Sequence, residues 1–312
     1  MLIIMSPFAE NNQNPEFSRN TGSDPIELTI IPRTGDIGNF EVHRALPSRE
    51  RQLVGPFIFW DQMGPGEFIS GQGVDVRPHP HINLATVTYL FDGTLDHKDS
   101  LGSDQRIKPG DVNLMMAGRG IVHSERTGQD IRENPSSLFG IQSWLALPQD
   151  KEENDPDFLH TGRASLPEIN DHGVRVRIIM GELHGQRSPV KSFSETLYSD
   201  IELQAGAEFE LPASDLDRAL YALKGRIEIA GVAYEPMQML VLHPGDQIVA
   251  KALEDVRLML LGGAPLDGPR YMDWNFVSSS KERIAQARAD WSERKFPDVP
   301  GDSEEFIPLP ER

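Results

Sequence analysis

The sequence predicts an all-β protein built from two similar halves and followed by a short helix near its end. Three observations support this prediction: short runs of β-forming residues, turn signals between them, and a motif spacing that recurs in the second half. The chain has 312 residues, which favours two domains. Its 27 glycines and 24 prolines suit many short strands joined by turns.

The first half contains apolar and β-branched runs at residues 57–60, 85–91 and 112–116. Turn signals at residues 92–93 (Asp-Gly) and 109–111 (Pro-Gly-Asp) separate them. Runs of this length between turn residues are typical of β-strands rather than helices. We therefore expect several strands and few helices in this half.

The second half repeats the pattern, with β-type runs at residues 174–180, 201–211, 219–223 and 256–261. The charged, proline-bounded segment 148–156 between the halves suits a linker. The sequence therefore predicts four regions: a loose leader at 1–24, a first domain at 25–150, a second domain at 151–270, and a C-terminal helix with an extended tail at 271–312.

One helix is predicted near the end of the chain. Ser279 and Glu282 have the spacing of a capping box, with Ser279 as the N-cap. The residues that then share one helical face are Ile284, Ala287, Arg288 and Trp291. After Phe296 the chain is rich in Pro, Asp and Glu, so we expect it to follow the surface without regular structure.

Two motif pairs indicate an internal duplication. Residues 89–93 (Tyr-Leu-Phe-Asp-Gly) resemble residues 221–225 (Tyr-Ala-Leu-Lys-Gly), an offset of 221 − 89 = 132. Residues 109–111 and 244–246 are both Pro-Gly-Asp, an offset of 244 − 109 = 135. The near agreement predicts two barrels of roughly 120 residues each.

Composition excludes several classes of function. The chain has no cysteine, which rules out disulfides, thiolate ligands and cysteine nucleophiles. Its formal net charge of −18 disfavours direct binding to nucleic acid or to anionic lipid. Because no apolar stretch approaches the length of a membrane span, and residues 1–5 do not form a signal sequence, we expect no membrane partner and a cytoplasmic location.

Two short histidine motifs dominate the prediction of function. His79 and His81 are spaced i, i+2, and so are His123 and Glu125. On a β-strand, residues i and i+2 point to the same face, so two strands can direct three imidazoles and one carboxylate at one point. Such a set suits Fe, Ni, Mn, Co or Zn rather than Cu(I), and leaves coordination positions open. The sequence thus predicts a mononuclear metal site.

The duplication offers an internal control for this site. An offset of 132 places Leu211 and Ala213 at the positions of His79 and His81. An offset of 135 places Leu258 and Leu260 at the positions of His123 and Glu125. The second half therefore has the framework without the ligands, and we expect it to be filled with apolar side chains and to hold no catalytic metal.

The region around the first histidine pair resembles a cupin motif, with Gly73 before it and Gly93 after the next strand. The usual cupin glutamate follows the pair by four or five residues, where this chain has Ala85 and Thr86. Glu125 supplies the missing acid. This variant is similar to the pirin family, through segments 55–57, 61–65, 77–81 (RPHPH), 86–90, 108–111, 117–125 (AGRGIVHSE), 262–266 and 291–296.

The resemblance covers nearly the whole chain and implies a bicupin, with two antiparallel cupin-type β-barrels face to face and a metal in the first. It assigns the ligands to His79, His81, His123 and Glu125. Iron is the metal that it implies first, and nickel, manganese, cobalt, zinc and copper are the alternatives.

The resemblance implies more than one function. The favoured hypothesis is a flavonol (quercetin) 2,3-dioxygenase, in which a small aromatic substrate binds the open metal position and Glu125 is both ligand and catalytic base. The alternative is a non-catalytic, iron-dependent regulator, a transcriptional coregulator or enzyme modulator that acts through protein partners. A third hypothesis is a metal-binding stress protein without turnover.

Three further residues have two interpretations each. We predict His97 to be a solvated loop histidine rather than an acid or base in the pocket. Gln142 and Trp144 lie in the first half's last predicted strand, and we predict both to be core residues rather than part of the pocket wall.

Overall fold

The computed structural model describes residues 16–19, 24–36 and 40–311. Most of the predicted leader, residues 1–15 and 20–23, lies outside the described part. Residues 16–19 form a strand, which differs from the prediction of a loose segment there. The predicted all-β architecture is confirmed.

The first half consists of two antiparallel sheets. The larger contains, in spatial order, β13 (Asp157–Thr161), β10 (Val112–Met116), β7 (Leu84–Asp92), β12 (Ser136–Ala146), β5 (Phe57–Phe68), β4 (Glu41–Leu46) and β3 (Arg33–Asp36). The smaller contains β6 (Asp75–His81), β11 (Ile121–Arg126), β8 (Leu95–Asp99) and β9 (Asp104–Ile107).

The second half repeats this plan. Its larger sheet contains β1 (Glu16–Arg19), β2 (Ile26–Ile31), β23 (Gln238–Leu242), β20 (Asp217–Lys224), β25 (Val256–Gly263), β18 (Thr196–Leu203), β15 (Val174–Met180) and β14 (Glu168–Asp171). Its smaller sheet contains β19 (Glu208–Leu211), β24 (Ile248–Ala252), β21 (Ile227–Ile229) and β22 (Val232–Tyr234). The strand predicted at 201–211 is interrupted by a turn, where Gly206 has a φ of +82°.

The remaining elements are short. They are the hairpins β16 (Glu182–Leu183) with β17 (Gln186–Arg187) and β26 (Tyr271–Asp273) with β27 (Phe276–Ser278), the helices α1 (Gln129–Arg132) and α2 (Lys281–Ser292), and the 3-10 turns Gln149–Lys151 and Arg163–Ser165. No helix of the described residues has the length and apolarity needed to cross a membrane.

Helix α2 begins one residue later than predicted. Ser280, not Ser279, is the N-cap, and its hydroxyl accepts a hydrogen bond from the backbone N–H of Arg283. The hydroxyl of Ser279 instead donates to Glu152. The predicted apolar face is confirmed, since Ile284, Ala287 and Trp291 are buried. Residues 297–311, all described, contain no helix or strand, as the sequence predicts.

The two halves exchange strands: β1 and β2, from before residue 150, join the larger sheet of the second half, and β13, from after it, joins that of the first. β2, near the N-terminus, pairs with β23 in the sheet of the second half, and β13 pairs with β10 in the sheet of the first. Each exchanged strand comes from one side of the predicted boundary at residue 150, and the other strands of the sheet that it joins come mainly from the other side. The exchange ties the halves together through main-chain hydrogen bonds.

The larger sheets of the two halves share one hydrophobic core. Trp60 on β5 makes edge-to-face contacts with Tyr198 on β18 and Tyr221 on β20, each with ring centroids 5.6 Å apart. The hydroxyl of Tyr221 donates a hydrogen bond to Gln62. The halves are therefore packed face to face across their larger sheets, which leaves the smaller sheets on the outside.

The structure corrects the second part of the repeat alignment. Residues 89–93 and 221–225 do occupy equivalent places, at the ends of β7 and β20. However, the Pro-Gly-Asp at 109–111 precedes β10, whereas that at 244–246 follows β23, the equivalent strand. Leu258 and Leu260 therefore lie on β25, the counterpart of β12 rather than of β11. Ala213 is exposed instead of filling the interior.

Candidate metal centre

Two neighbouring strands of the smaller sheet position the predicted ligands. His79 and His81 lie on β6, and His123 and Glu125 lie on β11. His123 pairs with His79, and a bulge between His123 and Glu125 shifts the register by the next pair. Because each motif alternates along its strand, all four side chains point into the interior of the first half.

The histidine rings lie close together. The ring centroid of His79 is 4.3 Å from that of His123 and 5.0 Å from that of His81. The candidate ligand atoms of these three residues all lie within 4.8 Å of one another, and so do those of His97, His123 and Glu125. His123 belongs to both groups and connects the carboxylate to the three-histidine set.

The hydrogen bonds of the imidazoles leave nitrogen lone pairs available. Nδ1 of His79 donates to the carbonyl of Arg77 at 2.9 Å, and Nδ1 of His81 donates to the carbonyl of Asn275 at 3.0 Å. These bonds set the tautomer and leave Nε2 of both rings as an acceptor, as is usual for metal-bound histidine. Both nitrogens of His123 are buried without a hydrogen-bond partner among the described residues. An orphaned buried imidazole is what a metal would satisfy, so the donor set fits a divalent transition metal.

Burial keeps the three imidazoles neutral. It lowers the pKa of His79 to about 4 and lowers the pKa values of His81 and His123 well below the ordinary range. Repulsion between the neighbouring rings acts in the same direction for His81 and His123. Because a metal binds the neutral ring, these side chains need not lose protons at neutral pH before they coordinate.

The Glu125 carboxylate is held from the opposite sheet. Nε2 of Gln142 lies 2.8 Å from Oε1 and 2.7 Å from Oε2, and the Thr88 hydroxyl donates to Oε1 at 3.3 Å. Burial raises the pKa of Glu125, and the hydrogen bonds from Gln142 and Thr88 oppose that rise. The carboxylate is therefore oriented and more basic than one in water.

Comparison with known proteins identifies the family of this chain. The pirin family model matches residues 39–145, and the model of the pirin C-terminal cupin domain matches residues 198–297. A pirin-like protein of Caulobacter vibrioides is 49% identical over 92% of this chain and 100% of its own length. The chain belongs to the pirin family.

Two further relatives extend the comparison. Human pirin is 30% identical, with 88% of this chain and 94% of human pirin covered. The crystal structure of a quercetin 2,3-dioxygenase from Acinetobacter baumannii superimposes with a TM-score of 0.85 at 32% identity and covers 91% of this chain and 95% of that one. The cupin-type architecture inferred from the resemblance is thus confirmed.

His97 does not lie in a solvated loop, so that prediction was wrong. It is buried on β8, where its ring stacks on Phe158 with centroids 4.3 Å apart, and its Nε2 is 3.1 Å from Oδ2 of Asp99. The alternation of residues 95–99 (Leu-Asp-His-Lys-Asp) was the missed signal, because His97 and Asp99 have the same i, i+2 spacing as the ligand motifs. Burial opposes ionisation of Asp99, but hydrogen bonds from His97 and Ser103 lower the pKa of its carboxyl.

The prediction for the last strand of the first half was half right. Trp144 is a core residue that stacks on Phe59 with centroids 4.0 Å apart, and its ring also meets His81 at 4.9 Å. Gln142 is not simply a core residue, because its amide binds Glu125. The same strand therefore contributes an apolar wall and a polar contact to the pirin site.

Proposed function

We propose that the chain binds one divalent transition metal through His79, His81, His123 and Glu125 and acts as a flavonol 2,3-dioxygenase. The observation that carries the metal proposal is the buried His123 ring with two unpartnered nitrogens beside two histidines whose Nε2 atoms are free. Iron is the first choice of metal, and the alternatives are nickel, manganese, cobalt, zinc and copper.

The residues of the site suit the chemistry of a flavonol. When bound, the metal would supply a Lewis-acid centre with open coordination positions. As the carboxylate among the proposed ligands, Glu125 would take the proton of the flavonol hydroxyl. Gln142 and Thr88 orient that carboxylate, and Trp144 with Phe59 forms an apolar wall that suits an aromatic substrate.

A relative supports the substrate class. The Acinetobacter baumannii protein of similar structure is a quercetin 2,3-dioxygenase at 32% identity over most of both chains. Quercetin is therefore the first substrate to test on this pirin-family member.

The decisive experiment measures oxygen consumption with quercetin after loading the protein with Fe²⁺, Ni²⁺, Mn²⁺ or Co²⁺. Wild type should consume oxygen in a metal-dependent way, and Glu125→Gln should lose turnover, because an amide cannot act as the base. Glu210→Gln, on the exposed face of β19, is the matched control and should keep the wild-type rate. Absence of metal-dependent consumption by wild type would reject the dioxygenase proposal, and equal rates in wild type and Glu125→Gln would remove Glu125 as base.

Burial of the site favours a second candidate, an iron-dependent regulator. His81 is 1% exposed and Glu125 is 6% exposed, so little of the proposed ligand set is in contact with solvent. A regulator needs no bound substrate, because a change in the oxidation state of a bound metal would itself be the signal. Calorimetric titration of the metal-loaded protein with quercetin separates the two candidates: binding supports the enzyme, whereas no binding together with hydrogen-exchange differences between ferrous and ferric protein supports the regulator.

A further inference from the structure

The pirin site contains a fifth donor that the predicted ligand set does not use. The candidate ligand atoms of His97, His123 and Glu125 lie within 4.8 Å of one another, as do those of His79, His81 and His123. All five side chains are buried. The second group includes the carboxylate, and it shares His123 with the first.

Asp99 holds His97 as a metal-binding histidine is held. Nε2 of His97 donates to Oδ2 of Asp99 at 3.1 Å. The other oxygen, Oδ1, accepts the backbone N–H groups of Leu101 at 2.9 Å and Ser103 at 3.0 Å. Asp99 is 0% exposed, so it has no freedom to turn away. With the proton on Nε2, Nδ1 of His97 is a lone-pair donor, and a carboxylate–histidine pair of this kind typically orients a ligand and raises its basicity.

The fold fixes the ring from two further sides. His97 on β8 pairs directly with Glu125 on β11, so their side chains are cross-strand neighbours. Phe158 stacks on the ring at an interplanar angle of 14°. Phe158 belongs to β13, the strand that crosses over from the second half of the chain. The orientation of His97 therefore depends on three strands and is not a local accident.

We propose that His97 is an additional metal ligand, which binds a divalent transition metal through Nδ1 together with His123 and Glu125. This position overlaps the one formed by His79, His81 and His123, because both use His123. The inference rests on the proposed metal binding and extends it: the cluster offers a second coordination position beside Nδ1 of His97.

Cobalt binding to apo-protein variants tests the proposal. His79→Ala/His81→Ala removes one group and leaves the other intact, so it should still bind Co²⁺ with reduced affinity. Adding His97→Phe to this background should abolish the residual binding, while the phenyl ring keeps the stacking on Phe158. Glu210→Gln in the same background is the control and should keep the residual binding. Titrations followed by visible absorption report both the affinity and the ligand field.

Single variants of the otherwise unchanged protein give the second readout. His97→Phe should weaken Co²⁺ binding by about 10–100-fold and change the visible spectrum, and Asp99→Asn should have a smaller effect in the same direction. His97→Gln, which keeps a polar side chain, serves if the phenylalanine variant does not fold. Identical residual binding with and without His97, or a His97→Phe spectrum equal to that of wild type, overturns the inference while leaving the four-ligand site intact. Absence of Co²⁺ binding by wild type would instead reject the proposed metal site and the inference with it.

Discussion

The two halves of the molecule share one strand plan and differ in what fills it. In the first half, β6, β11 and β8 carry the histidines and Glu125, and in the second half β19, β24 and β21 occupy the same places. The pairing of His79 with His123 corresponds to that of Leu211 with Ile248. By the same registers, the second half has buried apolar residues at the positions of His79, His123, Glu125 and His97, and these are Leu211, Ile248, Ala250 and Ile229.

The difference shows that this strand arrangement forms without polar side chains in its interior. Phe209 and Leu211 belong to a continuous hydrophobic core between the two sheets of the second half. At the corresponding position between its sheets, the first half has three neutral imidazoles instead of a hydrophobic core. One of these imidazoles has no hydrogen-bond partner among the described residues. Each buried polar group without a hydrogen-bond partner lowers the free energy of unfolding by about 1–3 kcal/mol. We therefore interpret the imidazoles as a binding site rather than as part of the core packing.

The largest expected effect is on metal content. His81→Ala/His123→Ala should lose the bound metal completely. His123 belongs both to the group with His79 and His81 and to the group with His97 and Glu125, so its removal disrupts both. Leu211→Ala, at the second-half position equivalent to His79, should retain the wild-type content. Elemental analysis after loading and desalting measures both, and full metal content in the histidine double variant would contradict the assigned site.

Placing a ligand residue in the second half should be destabilising. Leu211→His at the position equivalent to His79 puts an imidazole into an apolar core, with an expected loss of about 2–4 kcal/mol in the free energy of unfolding. Leu211→Met should cost less, because it adds no hydrogen-bonding group. Urea unfolding of the apo-proteins measures the difference, and equal stability of the two variants would show that the second half tolerates ligands as the first does.

The halves should also differ in their response to acid. The pKa of His79 is about 4 in the folded protein and 6.5 in an unfolded chain, so the unfolded state binds more protons between these values. Stability therefore falls as the pH drops through this window, by about 2 kcal/mol between pH 7 and pH 5 for this residue. His79→Leu, which copies Leu211 of the second half, should reduce the pH dependence of apo-protein unfolding by that amount. An unchanged dependence would mean that His79 is not held neutral.

The smallest expected effect concerns the tail, which covers a ligand strand in the first half. Arg126 on β11 donates to both oxygens of Asp302 at 2.8 and 2.9 Å, and the N–H of Ile307 donates to the carbonyl of Pro78 on β6 at 2.9 Å. On β19, the second-half counterpart of β6, Glu208 and Glu210 are exposed.

Asp302→Asn should cost about 1 kcal/mol, because the ion pair is partly exposed. It should also speed proteolysis of residues 297–311. The matched variant Glu210→Gln should change neither the stability nor the rate of proteolysis. If the tail of Asp302→Asn is cleaved at the wild-type rate, the ion pair with Arg126 does not hold the tail in place.

The sequence by itself determined which residues share a face. The i, i+2 spacing of His79 with His81, and of His123 with Glu125, sets their common direction on a strand because side chains alternate with a period of two. The absence of cysteine limited the donors to nitrogen and oxygen. The same rule applies to His97 and Asp99. We did not apply it there, because the charged neighbours of His97 suggested a loop rather than a strand.

Only the tertiary structure decided which strands meet. Gln142 reaches Glu125 from the opposite sheet, and the carbonyl that orients His81 belongs to Asn275, 194 positions further along the chain. The exchange of β2 and β13 and the correct alignment of the two halves likewise follow from strand pairing. Periodicity specifies the direction of a side chain along its own strand, whereas partners across sheets depend on main-chain pairing between distant segments, which no local pattern encodes.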